Sequence, residues 1–564
     1  MFIIITKVKP DRELNTMTIS PLQLARADYK PKLPAALTGN ITVKEGAATQ
    51  SIAHQKEINE MFPKTYGMPV LHIESGSEPM KSPAVNVGVI LSGGQAPGGH
   101  NVIAGIFDSL KALNSNSKLY GFLGGPSGLV DGKYIELTAQ LVEQYRNTGG
   151  FDIIGSGRTK LEEHSQFDKG LENCKKLGIN AIVIIGGDDS NTNACVLAEY
   201  YKSINAGVQV IGCPKTIDGD LKNEMIEASF GFDTACKVYS ELIGNIERDA
   251  LSAKKYWHFI KLMGRSASHI ALECTLQTHP NYAIISEEVQ EKKLTMDQIV
   301  EDIARVIKTR SDNNEYFGVC LIPEGLIEFV PEIKKLISEI NDLIAHKAAA
   351  FNVLGTDDEK FQFVNSHISA DSTKAFNSLP REIQIQLLMD RDPHGNVQVS
   401  RIQTEELLIE MVEEKLKEWR TEGKFKGHFT ALPNFFGYEG RCAAPSNFDA
   451  DYTYSLGYVA AVIIGSGKTG YMSAVRNLTA PAEKWIACGV PITMMMNLEK
   501  RHGHMKPVIQ KALVKLDDKP FKEFTAHRGE WSIKTSYVFP GPIQYFGPTE
   551  VCDATTKTLQ LEKG

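Results

Sequence analysis

The chain has 564 residues, 42% of them hydrophobic and 23% charged, and a net charge of −7 at pH 7. At roughly 150 residues per domain this length holds about two to four domains, and the composition is that of an ordinary soluble globular protein. The acidic balance excludes a broad nucleic-acid surface and leaves open a local basic pocket for an anionic ligand. Nine cysteines are scattered from Cys174 to Cys552 with no CxxC pair, which points to a reduced, cytoplasmic chain and away from a disulfide scaffold or zinc site.

The opening "MFIIITKVKPDREL" has five apolar residues before charge appears, too few for a signal-peptide core. No apolar run reaches the roughly 18 residues of a membrane span, so no membrane partner is expected. Residues 1–83 are mixed and proline-containing, and are expected to form an N-terminal extension that wraps the body. From residue 84 short apolar strands end in glycine-rich turns and helical patterns follow. In "NVGVILSGGQAPGGHNVIAGIFDSL" the turn Leu91–Asn101 carries four glycines. Its exposed amides could hold a phosphate, and a plain tight turn is an equal reading at this point.

"AIVIIGGDDSNTNACVLAEYY" sets Asp188 and Asp189 where a helix begins. One aspartate suffices as an N-cap; two adjacent carboxylates repel unless a cation is near. Mg²⁺ prefers oxygen ligands shared with substrate phosphates, so one of the two can serve it. "VQVIGCPKTIDGD" adds Lys215, Asp218 and Asp220 after the next strand. Alone, the two aspartates read as turn formers. If the strand ends are neighbours, four aspartates crowd one site, and each like-charge pair at about 4 Å costs roughly 4 kcal/mol at an effective dielectric near 20. A metal and Lys215 are the expected offsets, and the combination reads as a catalytic acidic cluster.

"YWHFIKLMGRSASHIALECTL" and "YFGVCLIPEGL" repeat the strand and turn, ending in Arg265 and Glu324. An arginine there can grip phosphate with its guanidinium fork, and Glu324 can accept hydrogen bonds from sugar hydroxyls. The alternation predicts a parallel sheet with helices on both faces and ligands at the carboxyl ends of its strands. Residues 331–425 break the texture: Ile333, Leu336, Ile337, Ile340, Leu343 and Ile344 fall at helical spacing, and "REIQIQLLMDRD" and "TEELLIEMVEEKLKEW" also look helical. "GYEGR", ending at Arg441, follows another apolar run. The strand–turn–helix texture is expected again near residue 454, in "YSLGYVAAVIIGSGKTGYMSAV". The "GSGKTG" within it is not a phosphate-binding P-loop, because Val462 stands where that motif needs its first glycine.

In this order, GGDDS, PKTIDGD, MGR, PEG and GYEGR resemble the phosphofructokinase family, most closely its long, pyrophosphate-dependent branch. The resemblance covers nearly the whole chain from about residue 84. It includes "FNSLPREIQIQLLMDRDPHGNVQVS", which looks like the long-branch insertion. The expected fold is α/β, with two doubly wound parallel-sheet domains, a helical insertion and the N-terminal extension. Residues 84–255 are expected to form the phosphoryl-donor domain and 256–330 the sugar-phosphate domain. The insertion is 331–425, and 426–564 return to complete both domains and add a C-terminal tail.

The resemblance implies reversible, Mg²⁺-dependent phosphoryl transfer from pyrophosphate to the 1-hydroxyl of fructose 6-phosphate, a step of glycolysis and gluconeogenesis. It implies that Gly94 binds pyrophosphate, Asp188 holds Mg²⁺ and Asp218 takes the hydroxyl proton. Thr216 and Ile217 would line the substrate. Met263, Gly264 and Arg265 match the sugar-phosphate loop, and Glu324, Tyr438, Glu439, Gly440 and Arg441 the rest of the sugar site. Lys255 and Tyr256 match a pair that reaches the partner subunit's substrate, so at least a homodimer is expected. Arg158 is expected near the transferring group. ATP-dependent relatives carry glycine where Asp189 and Lys215 stand. Asp189 would then repel ATP by bulk and charge, and Lys215 would supply the cation pyrophosphate needs. The alternatives are an ATP-dependent enzyme of the family, which these two residues oppose, and a non-catalytic regulatory subunit, which the retained Asp188, Asp218 and Asp220 oppose.

Overall fold

The computed structural model describes residues 20–389, 397, 401–501 and 504–543. The first part of the expected N-terminal extension, most of "DRDPHGNVQVS" in the insertion and the C-terminal tail lie outside the described residues. Strands are numbered in chain order: β1 (Ile41–Ala48), β2 (Pro69–Ser75), β3 (Asn86–Leu91), β4 (Lys118–Phe122), β5 (Tyr134–Glu136), β6 (Ile179–Gly186), β7 (Gln209–Pro214) and β8 (Trp257–Leu262). They continue as β9 (Tyr282–Ala283), β10 (Gly318–Pro323), β11 (Ala431–Phe436), β12 (Tyr471–Arg476), β13 (Ile486–Pro491), β14 (Met496–Arg501) and β15 (His504–Ile509).

Nine strands form one sheet in the order β1-β2-β13-β12-β7-β6-β3-β4-β5, and four form a second in the order β11-β8-β10-β9. The central pairings of the large sheet, from β12 through β7, β6 and β3 to β4, are parallel, as are all those of the small sheet. Central strands read as continuous apolar runs because helices cover both faces; β3, β6 and β7 are buried almost throughout. The large sheet's edges are antiparallel, β4–β5 on one side and β12–β13–β2–β1 on the other.

Two expectations need correction. The N-terminal extension does more than wrap the body, since β1 and β2 extend the large sheet itself. "YSLGYVAAVIIG" is not a strand: Asn447–Gly465 is one buried helix, packed on the helix Gly99–Leu113, and the strand β12 follows it. A 12-residue apolar run exceeds the length of a buried strand, and here it fills the layer between a helix and the sheet.

The described residues of 331–421 are largely helical, with five α-helices among them from Pro331–Asn352 to Thr404–Thr421. Their apolar faces form a core continuous with the small sheet, with Ile333, Leu336, Ile340, Leu407 and Val412 buried beside Trp257 and Phe259. The buried Lys261–Glu405 ion pair, at 2.9 Å, ties the last of these helices to β8. Among the described residues no helix is long and apolar enough to cross a membrane, and all eight cysteines are free thiols.

Candidate active site

The two acidic motifs leave adjacent strand ends. Gly186 on β6 is paired with Pro214 on β7, and the Lys215 amide donates to the Gly186 carbonyl at 3.0 Å. After β6, Gly187 caps the helix Asp188–Ser203, whose first turn carries both aspartates. Carboxylates there complement the positive end of the helix. After β3 the glycine turn leans on the neighbouring loop, with the Gly93 amide donating to the Gly157 carbonyl at 2.9 Å. Gly94 is where three loops converge. A Cβ on it would lie 2.5 Å from Arg441 Nη1 and 3.7 Å from Arg158 Nη2. Lys215 Nζ lies beside Gly93.

The small sheet supplies the facing wall from the carboxyl ends of β8, β10 and β11, whose ends stand in register at Leu262, Pro323 and Phe436. Gly264 has φ of 128°, a conformation side chains strain to adopt, and its amide donates to Glu324 Oε2 at 3.0 Å. Arg265 opens on a cavity of about 480 Å³ lined also by Ser266, Glu328, Lys334 and Asn341, with its Nη2 3.5 Å from Glu328 Oε1. Arg441, on the short helix Tyr438–Cys442, spans the two walls. It lies against the Met263 thioether and stands 3.9 Å from Asp218 Oδ1. That Asp218 oxygen is buried and has no hydrogen-bond partner among the described residues.

Charge sorts itself across the cleft. Lys215, Arg158 and Arg441 gather round the glycine turn. Burial, then the charge of Arg441, pulls the Lys215 ammonium down to about 8. On the acidic side, burial and the Asp218 carboxylate push Asp220 up to about 7. Burial and Asp218 likewise raise Glu324 above the usual carboxylate range. The offset was expected from a metal and Lys215 alone, and that is incomplete. Lys511 Nζ reaches in, 3.6 Å from Asp188 Oδ2 and 3.8 Å from Asp220 Oδ2. Burial opposes its charge, but Asp188 and Asp220 outweigh that and hold its pKa above the ordinary lysine value. No local pattern announces Lys511: it follows β15 in "PVIQKALV", without a glycine turn, and only the tertiary fold delivers it. Among the described residues no three His, Cys, Asp or Glu side chains converge as a metal cage.

Most of the sequence candidates therefore meet. The fold brings together Gly94, Arg158, Asp188, Lys215, Asp218, Met263, Gly264, Glu324 and Arg441. Others differ. The Ile217 side chain is fully buried in the core, so only its backbone can line the cleft. Gly440 packs on the Tyr239 ring, while Tyr438 and Glu439 are exposed. Lys255 and Tyr256 precede β8, at the end of that strand opposite Met263, and this chain does not bring them to its own cleft.

The phosphofructokinase model matches residues 86–357. The pyrophosphate–fructose 6-phosphate 1-phosphotransferase of Porphyromonas gingivalis is 58% identical over 97% of this chain and 100% of its own length. The chain belongs to the phosphofructokinase family. The protein of the same name from Treponema pallidum is 53% identical, over 97% of this chain and 98% of its own. The crystal structure of the pyrophosphate-dependent phosphofructokinase from Nitrosospira multiformis shares the phosphofructokinase fold at a TM-score of 0.53, with 15% identity, covering 83% of this chain and 100% of that one.

Proposed function

We propose that this phosphofructokinase-family chain transfers a phosphoryl group reversibly between pyrophosphate and the 1-hydroxyl of fructose 6-phosphate. The observation that carries the reading is the pairing of Asp189, beside Asp188 at the helix start, with a buried Lys215 against the glycine turn. A carboxylate opposes a nucleotide's extra phosphate, and a buried cation favours the compact charge of pyrophosphate. The names of relatives that match over their full length support the same donor and acceptor.

In this mechanism Lys215, Arg158 and Arg441 hold the phosphoryl oxygens at the glycine turn, and Gly94 leaves the room they need. Asp218, whose buried Oδ1 has no hydrogen-bond partner among the described residues and stands 3.9 Å from Arg441, accepts the proton of the sugar 1-hydroxyl as the hydroxyl oxygen bonds to phosphorus and the bridging P–O bond breaks, releasing phosphate. Arg265 and its cavity take the sugar phosphate, and Glu324 orients the sugar-side loop through the Gly264 amide. The donor chemistry suits Mg²⁺: Asp188 and Asp220 offer hard oxygen donors, each within 4 Å of the Lys511 ammonium, and Asp188 is the proposed ligand. Bound Mg²⁺ would neutralise charge on the phosphate oxygens. Lys255 and Tyr256, remote from this cleft, match the pair that the family resemblance assigns to the partner subunit's substrate, so the proposed active form is at least a homodimer. The test is formation of fructose 1,6-bisphosphate by the purified chain with Mg²⁺, fructose 6-phosphate and either pyrophosphate or ATP. Turnover with pyrophosphate supports the reading; turnover with ATP alone, or with neither, rejects it.

A further inference from the structure

Lys511 touches both walls of the cleft with its side chain and has no part in the mechanism above. It belongs to a segment that leaves the β14–β15 hairpin on the donor side, where the Ile509 amide donates to Thr192 Oγ1 at 3.2 Å. The segment then crosses to the sugar side. The Ala512 amide still donates to the donor-side Asp220 carbonyl at 2.7 Å, while on the sugar side the Ala512 carbonyl meets His269 Nε2 at 2.8 Å and the Val514 amide donates to Glu287 Oε1 at 3.0 Å. These bonds hold the Lys511 backbone firmly between the walls. Its ammonium lies within 4 Å of Asp188 and Asp220 and donates to Ser266 Oγ at 2.7 Å, next to Arg265.

We propose that Lys511 is a positioning residue that couples the two halves of the site. Its ammonium takes the place of the divalent cation between Asp188 and Asp220 in the metal-free protein, and its bond to Ser266 draws the Arg265 loop against the donor wall. Metal loading then requires Asp188 to exchange an ammonium for the metal ion. Lys511 thus sets how tightly the cluster binds a cation and how well the sugar-phosphate loop is registered. The inference rests on the proposed reading of Asp188 as metal ligand.

The experiment measures Mn²⁺ binding to the substrate-free protein by electron paramagnetic resonance, alongside steady-state kinetics. Lys511→Met removes the competing charge and should bind Mn²⁺ at least about tenfold more tightly than the wild type. It should also raise KM for fructose 6-phosphate and lower kcat by roughly a hundredfold through misregistration. Lys511→Arg should restore wild-type Mn²⁺ affinity and part of kcat. Ser266→Ala, a milder change, should raise KM for the sugar and leave Mn²⁺ affinity unchanged. It keeps the tie testable if Lys511→Met does not fold. Equal Mn²⁺ affinity of wild type and Lys511→Met, including no measurable binding by either, overturns the competition. An unchanged sugar KM in Ser266→Ala overturns the tie. Neither result depends on which phosphoryl donor is used, so failure of the donor assignment is read separately.

Discussion

Gly94→Ala adds a single methyl where the structure has no room for one. The new Cβ would stand 2.5 Å from Arg441 Nη1, whereas ordinary contact begins near 3.4 Å, so the guanidinium must retreat by about 0.9 Å (3.4 − 2.5). Arg441 is not free to do so without loss. Its Nη1 donates to the Gln95 carbonyl at 3.4 Å, its Nε lies on the Met263 sulfur, and Asp218 is 3.9 Å from Nη2. Gly94 does not adopt the positive φ that disfavours a side chain, so folding should be nearly unaffected. A displacement of about 1 Å among positioning groups costs roughly a hundredfold in rate. Steady-state kinetics with both substrates varied should find kcat down about a hundredfold, with the thermal midpoint within about 2 °C of wild type. A loss smaller than about threefold would refute the claim that the glycine turn and Arg441 share one crowded phosphoryl site.

The other predictions use the same assays. Asp218→Ala should lower kcat by about 10²–10⁴ with little change in sugar KM, as expected for a lost general base; a drop under about tenfold counts against that role. Arg265→Ala should raise KM for fructose 6-phosphate roughly ten- to a hundredfold through lost charge-assisted bonds, while KM for pyrophosphate changes little; the reverse pattern would mean the subsites are interchanged. Burial, then the charge of Arg441, holds the Lys215 ammonium down to about 8. Its cation is present below that pH and lost above it, so kcat/KM for pyrophosphate should fall as pH rises through 8. Lys215→Arg stays charged to about pH 12 and should lack that limb; a limb that persists in this variant belongs to another group.

Much of the site could be read locally. A short apolar run followed by glycine and a charged residue marks the carboxyl end of a parallel strand, and these ends share one rim whatever the strand order. That is why Asp188 and Lys215, or Gly264 and Glu324, could be brought together without knowing the topology. What escaped depends on tertiary contacts. β1 shows Ile41 buried and its second half exposed, too weak an alternation to announce an edge strand. The helix Asn447–Gly465 is buried on nearly all sides, with polar residues inside its first half and an unbroken apolar run in its second, so it has no helical period to read. The family resemblance makes Ile217 a substrate-lining residue, yet in the turn after β7 its side chain is buried in the core. Lys511 acts only because a hairpin returns the chain between the two walls.

Donor choice is the central claim, and the measurement closest to it is the ratio of kcat/KM for pyrophosphate to that for ATP in the wild type and in Asp189→Gly. Asp189 shares the acidic field that Lys511 feels with Asp188, so the substitution removes both a charge and its volume from the start of the helix. The account predicts a wild type that uses pyrophosphate and not ATP. In Asp189→Gly the ratio should fall by at least about tenfold, with pyrophosphate turnover weakened and ATP turnover raised. A wild type that prefers ATP, or a ratio unchanged by Asp189→Gly, contradicts it.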